Sequence, residues 1–167
     1  MVALVAVLGA GLAALGLPGS LLGSAPRQQE WRAEAAEIRI VDGETLRLGD
    51  RTVRLYGLEA PERGERCADA GGRAFDCGAA AADALSRLVA GNGLSCAVHG
   101  RDRFGRALGL CAAGPTDLNT ALVSAGWALG DAQAVPALGT AEDAARRGGR
   151  GLWAAGFAQP GAWRGRQ

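Results

Sequence analysis

The sequence contains no lysine and a single histidine, His99. All 18 basic residues are arginine and 17 residues are acidic, so the net charge is +1 and no general positive field announces a nucleic-acid partner. Any phosphate binding must therefore come from local arginine clusters, whose planar forks match phosphate oxygens. A biased genome also produces an arginine-only chain rich in Gly and Ala, so composition does not decide between these readings. No Cys-x-x-Cys spacing occurs, which gives zinc no support. His99 is read as a surface residue near a strand end and is assigned no role.

A chain of 167 residues suffices for one domain with appendages and is short for two. From Met1 to Leu22 the sequence is uncharged and rich in Val, Leu, Ala and Gly, close to the about 20 residues that span a bilayer. Polar sequence with Trp31, Arg32 and Glu34 follows at once, so the run is read as an export signal and not as core. Gly23, Ser24 and Ala25 resemble a cleavage site, yet Pro26 is an awkward neighbour and no basic residue precedes the run. Signal peptide and membrane anchor through Met1 to Leu22 both stay open. The expected division is 1–25 signal or anchor, 26–36 linker, 37–156 folded domain and 157–167 Arg/Gly-rich tail. The expected location is outside the cytoplasm, whether periplasmic, secreted or membrane-anchored, and no oligomer is expected. Behind such a signal, Cys67, Cys77, Cys96 and Cys111 are more plausible as disulfides than as thiols.

Glu37 to Val41 and Thr45 to Leu48 read as strands around the turn Asp42–Gly43, and Arg51 to Leu58 as a third. Leu94 to Val98 and Ala107 to Ala112 complete five. Helices are expected over Ala79 to Val89, after the cap Asp117 with Leu118, Leu122 and Val123 buried, and over Thr140 to Arg147 with Glu142 early. This is an α+β chain, mainly β with about three helices, and the pattern suggests a small five-stranded barrel of the OB type. If the fourth and fifth strands pair antiparallel, Cys96 and Cys111 lie opposite, about 4.5 to 5.5 Å apart at Cα. Cys67 is then left with Cys77, pinning the loop before the first helix.

Three segments carry the chemistry: Asp42–Thr45, Arg54–Glu62 and Asp102–Arg106. In order and spacing they resemble the staphylococcal nuclease family, from about Ile38 to Trp153, including the closing Gly149–Trp153. The resemblance implies an OB-fold barrel that hydrolyses phosphodiesters in DNA or RNA with one Ca²⁺. It places Glu44 and Glu59 as carboxylate ligands, the Ala60 carbonyl as a further donor and Asp42 in the outer shell. Glu62 stands where the family has the acid that orients or deprotonates water, and Arg54 and Arg106 where guanidiniums grip the phosphate. The chemistry agrees: the reacting phosphodiester gains negative charge, which a metal and two non-titrating forks offset, and a carboxylate serves as base.

Two departures bear on activity. Both family ligands are usually Asp, and a methylene added to each moves its carboxylate by about 1 Å, enough to cost on the order of 10²-fold in rate. A shifted or bidentate ion, or Mn²⁺ in place of Ca²⁺, is the alternative accommodation. After Trp127, where relatives carry substrate-touching tyrosines, the chain reads Leu129 to Ala134 without an aromatic. Tyr56 and Phe104 are read as core or loop packing. The expected function is a metal-dependent endonuclease acting on single-stranded or poorly paired DNA or RNA. The alternative is an inactive descendant serving as a nucleic-acid-binding or envelope scaffolding module.

Overall fold

The computed structural model describes residues 29–69 and 71–154. The expected signal or anchor and the C-terminal tail lie outside the described residues. Trp31 and Ala33 are buried while Glu30 and Arg32 face solvent, and this period of two makes a strand, β1 (Gln29–Ala33), of residues expected in the linker. The expected meander follows as β2 (Ile38–Ile40), β3 (Thr45–Leu48) and β4 (Arg51–Leu55), burying Leu46, Leu48, Val53 and Leu55. Short β5 (Leu58–Glu59), β6 (Arg66–Ala68) and β7 (Ala74–Asp76) lead into helix α1 (Cys77–Val89). Asp76 caps α1 by accepting from the Ala79 N–H at 2.7 Å, and Ala81, Leu85 and Val89 line its buried stripe.

The second half is β8 (Leu94–Arg101), β9 (Ala107–Ala113), β10 (Thr116–Asp117), α2 (Leu118–Ser124), β11 (Leu129–Gly130) and α3 (Pro136–Arg147). Asp117 caps α2, as expected, through the Thr120 N–H at 2.8 Å. Helix α3 starts four residues before Thr140, because Pro136 is preorganised for the first helical turn. The main sheet runs β1-β8-β9-β4-β3-β2, with β10 on β9. Its β4–β9 ladder is parallel, and the other ladders are antiparallel. Among the described residues no ladder joins β1 to β2. The separate ladders β5–β11 and β6–β7, with β1 and β10, account for the strands beyond the expected five. Each of the two separate ladders spans only two or three residues per strand, too short for a hydrophobic period to show.

Cys96 faces Cys111 across β8 and β9 at 4.1 Å between Cα atoms, and Cys67 is joined to Cys77 at the entry to α1. Both pairs are those expected. Disulfides of this kind suit an oxidising compartment. Among the described residues no helix is long and apolar enough to cross a membrane. Replacing either pair by serine is expected to cost about 3 kcal/mol, measured by urea unfolding. A loss under about 0.5 kcal/mol for both pairs goes against this account.

Candidate active site

The hairpin between β2 and β3 turns on Asp42, whose Oδ1 accepts the Glu44 N–H at 2.9 Å. Gly43 permits the close approach of this turn to the core. A Cβ there would stand 2.7 Å from the Ala81 Cβ and 2.8 Å from the Ala60 Cβ. The β3–β4 register sets Thr45 opposite Arg54, so Glu44 emerges beside the arginine. Their side chains pair at 2.8 Å through Arg54 Nη2 and Glu44 Oε1. The second oxygen, Oε2, accepts the Ala60 N–H at 3.0 Å. Exposure is 7% for Glu44 and 9% each for Arg54 and Glu59, so all three are withdrawn from water.

This burial has an electrostatic consequence. Loss of solvation pushes the Glu44 carboxyl up to about 7, Arg54 and the Ala60 N–H pull against it, and Asp42 and Glu59 raise it further. Asp42 and Glu59 both lie close enough to Glu44 for their charge to act on it. Glu59 is set by the β5–β11 ladder, where it faces Leu129. That ladder depends on a residue whose role the sequence did not reveal. Glu142, in mid-helix and 5% exposed, accepts the Gly130 N–H at 2.7 Å and pairs with Arg146 at 2.9 Å. The expected helix start at Thr140 sets Glu142 early, in the first turn. Reading Pro136 as the first helical residue exposes the true phase.

Arg106 is fixed by the turn between β8 and β9. Asp102 Oδ1 accepts the N–H groups of Phe104 and Arg106, both at 2.9 Å, and Oδ2 accepts Arg106 Nε at 2.6 Å. Burial pushes the Asp102 carboxyl up, but these bonds from Arg106 and Phe104 outweigh it and hold the group below its usual range. The bond uses Nε, not the terminal nitrogens of the fork. Since β4 and β9 run parallel with Arg54 beside Leu108, Arg54 and Arg106 line one hollow of about 240 Å³, together with Arg103 and Phe104.

Glu62 is exposed in the loop after Pro61. Its N–H donates to Glu65 Oε2 at 3.3 Å, and its carbonyl accepts the Glu65 N–H at 3.0 Å. Among the described residues no ion pair links it to Arg54 or Arg106. The loop packs on α1 at Gly78, where a Cβ would lie 1.8 Å from the Glu62 carbonyl oxygen. Gly78→Ala is accordingly expected to displace the loop or to cost more than about 2 kcal/mol. An unchanged melting temperature together with unchanged activity contradicts that packing.

Residues 52–155 match the family described as staphylococcal nuclease homologue. The chain belongs to that family. Its α+β architecture is the family's OB-type fold, as expected. Among relatives of this staphylococcal nuclease homologue is the succinoglycan biosynthesis protein ExoI of Rhizobium meliloti (strain 1021), 34% identical over 119 residues. That match covers 70% of this chain but 62% of the relative, so the chain spans less than two thirds of ExoI's length. Uncharacterized endonucleases of Escherichia coli O157:H7 and Escherichia coli are each 31% identical over 138 residues, covering 78% of this chain and 84% of theirs.

For a homologue of this kind the donor chemistry fits a hard divalent ion. Asp42, Glu44, Glu59 and the Ala60 carbonyl are oxygen donors, and at Glu44 the loss of solvation outweighs what Arg54 returns. In the present pairing both Glu44 oxygens are engaged. Among the described residues no group of three or more His, Cys, Asp or Glu is arranged to hold an ion. Binding would thus require Glu44 to exchange its partners.

Proposed function

We propose that this domain is a phosphodiester hydrolase acting outside the cytoplasm on single-stranded or poorly paired DNA or RNA. The observation that carries the reading is the convergence of Arg54 and Arg106 on one hollow, with the buried Glu44 carboxylate directly behind Arg54. An anionic phosphate entering the hollow meets two forks that remain charged at any physiological pH. Burial of Arg54 strengthens its attraction to the phosphate, and Asp102 keeps the Arg106 fork from swinging away. Glu62 takes a proton from water, the water oxygen bonds to phosphorus, and the ester P–O bond breaks with its electron pair leaving on the departing oxygen. A divalent ion, Ca²⁺ in the first instance and Mn²⁺ as the alternative, would be held by Glu44, Glu59 and the Ala60 carbonyl, with Asp42 behind them. It would neutralise charge developing on the phosphate.

A second reading has its own support. With both Glu44 oxygens engaged by Arg54 and Ala60, the site is also suited to a binding or envelope scaffolding module that has no use for a metal. Digestion of single-stranded DNA in Ca²⁺, Mn²⁺ and Mg²⁺ separates the two. Cleavage that disappears in Glu62→Gln and Arg106→Ala supports the hydrolase. An inert wild type beside an active Glu44→Asp, Glu59→Asp double variant supports the module. Inertness of both removes the hydrolase reading.

A further inference from the structure

A second, larger hollow of about 460 Å³ lies between β1, β4 and the turn between β8 and β9. Its lining carries Arg51, Arg101 and Arg106 against a single carboxylate, Asp50. The Arg51–Asp50 pair is loose, at 4.0 Å, and Asp50 is almost fully exposed, so it neutralises little. The Arg51 guanidinium carbon lies over Trp31, 4.9 Å from the ring centroid, and Arg101 donates to the Gly105 carbonyl at 2.8 Å. Both guanidiniums are thereby oriented while keeping further donors. The two hollows share Phe104 and Arg106. Phe104, 67% exposed, lines both.

We propose that this second hollow holds the continuation of a single-stranded nucleic acid whose scissile phosphate lies at Arg54 and Arg106, with Arg51 and Arg101 taking the neighbouring phosphates. The proposal rests on the hydrolase reading for its register and extends it to a strand several nucleotides long. The net charge of +1 provides no long-range attraction, so affinity for a polyanion must come from a local row of arginines such as this one. Guanidinium planes ordered on an aromatic also offer stacking faces for unpaired bases, which duplex DNA does not present. That feature favours a nucleic acid strand over an acidic polysaccharide.

The test is fluorescence anisotropy with the purified chain in a chelator, which prevents cleavage, using a labelled single strand of about twelve nucleotides and a labelled dinucleotide. The wild type should bind the longer strand more tightly. In Arg51→Gln, Arg101→Gln, that affinity should fall about tenfold, and the slope of log K against log salt should shrink by about 1.4, or 0.7 for each lost phosphate contact. Dinucleotide binding should be unchanged. Arg101→Gln alone, at an exposed position, should give about half of the slope change should the double variant be unstable. Equal affinity of the wild type for both lengths, an unchanged slope, or equally strong competition by polygalacturonate of matched charge overturns the proposal. Wild-type cleavage of a dinucleotide substrate reports separately on the hydrolase: if it persists while length has no effect, only the second hollow is lost.

Discussion

Arg54→Met is expected to destabilise the metal-free domain by about 3–5 kcal/mol at pH 8 and by only about 1 kcal/mol at pH 5. The variant leaves Glu44 buried without its cation, and an uncompensated buried carboxylate is among the costliest single defects. At low pH the cost disappears because Glu44 takes up a proton. The wild type already leans this way. Its Glu44 carboxyl titrates at about 7 in the fold against an ordinary 4.5. The folded state therefore binds more protons across that window, and the stability this confers is complete below the lower value and lost as pH rises through the upper one. The span is worth about 3 kcal/mol. Asp69, Asp76 and Asp102 act oppositely: all are held below the ordinary 3.8, so their contribution is present above that value and lost on acidification. The metal-free wild type should be most stable at about pH 4–5. Urea unfolding at both pH values decides the matter. An equal loss from Arg54→Met at pH 5 and pH 8 would mean that Glu44 is not the group left behind.

Much of this arrangement was legible in the sequence because it depends on short-range spacing. The turn at Asp42 and Gly43 and the alternation through Val53 and Leu55 are each fixed within a few residues, and the antiparallel pairing that sets Cys96 against Cys111 joins consecutive strands at a separation of 15. The meeting of Arg54 with Arg106 was legible only through family resemblance, since it depends on the parallel β4–β9 ladder, which no local pattern announces. The extra methylene of Glu44 was visible as well. Its consequence was not, because the positions of Arg54 Nη2 and the Ala60 N–H decide where the added reach goes. Strand β1 was overlooked because its polar residues, Glu30 and Arg32, lie on the outer face of an edge strand. Glu142 was misplaced because Gly139 interrupts the helical pattern after Pro136. A carboxylate satisfied by a backbone N–H on another element has no signature in its own neighbourhood.

Arg106→Ala is expected to lower kcat on single-stranded DNA by about 10²–10³-fold, the usual effect of deleting one preorganised donor to a developing anion. The fold should survive. Arg106 is half-buried on the turn between β8 and β9, and its Asp102 partner retains bonds from the Phe104 and Arg106 backbone N–H groups that a substitution does not touch. The more informative variant is Arg106→Lys. A lysine restores the charge but cannot give Nε to Asp102 while presenting two further nitrogens to a phosphate. If orientation is what Asp102 provides, Arg106→Lys should recover less than about a tenth of the lost rate. Asp102→Asn, which keeps the turn acceptor but weakens the grip on Nε, should lower kcat by about tenfold. Full activity in Arg106→Lys would reduce Arg106 to a point charge. The 2.6 Å bond to Asp102 would then serve the hairpin turn and not the chemistry.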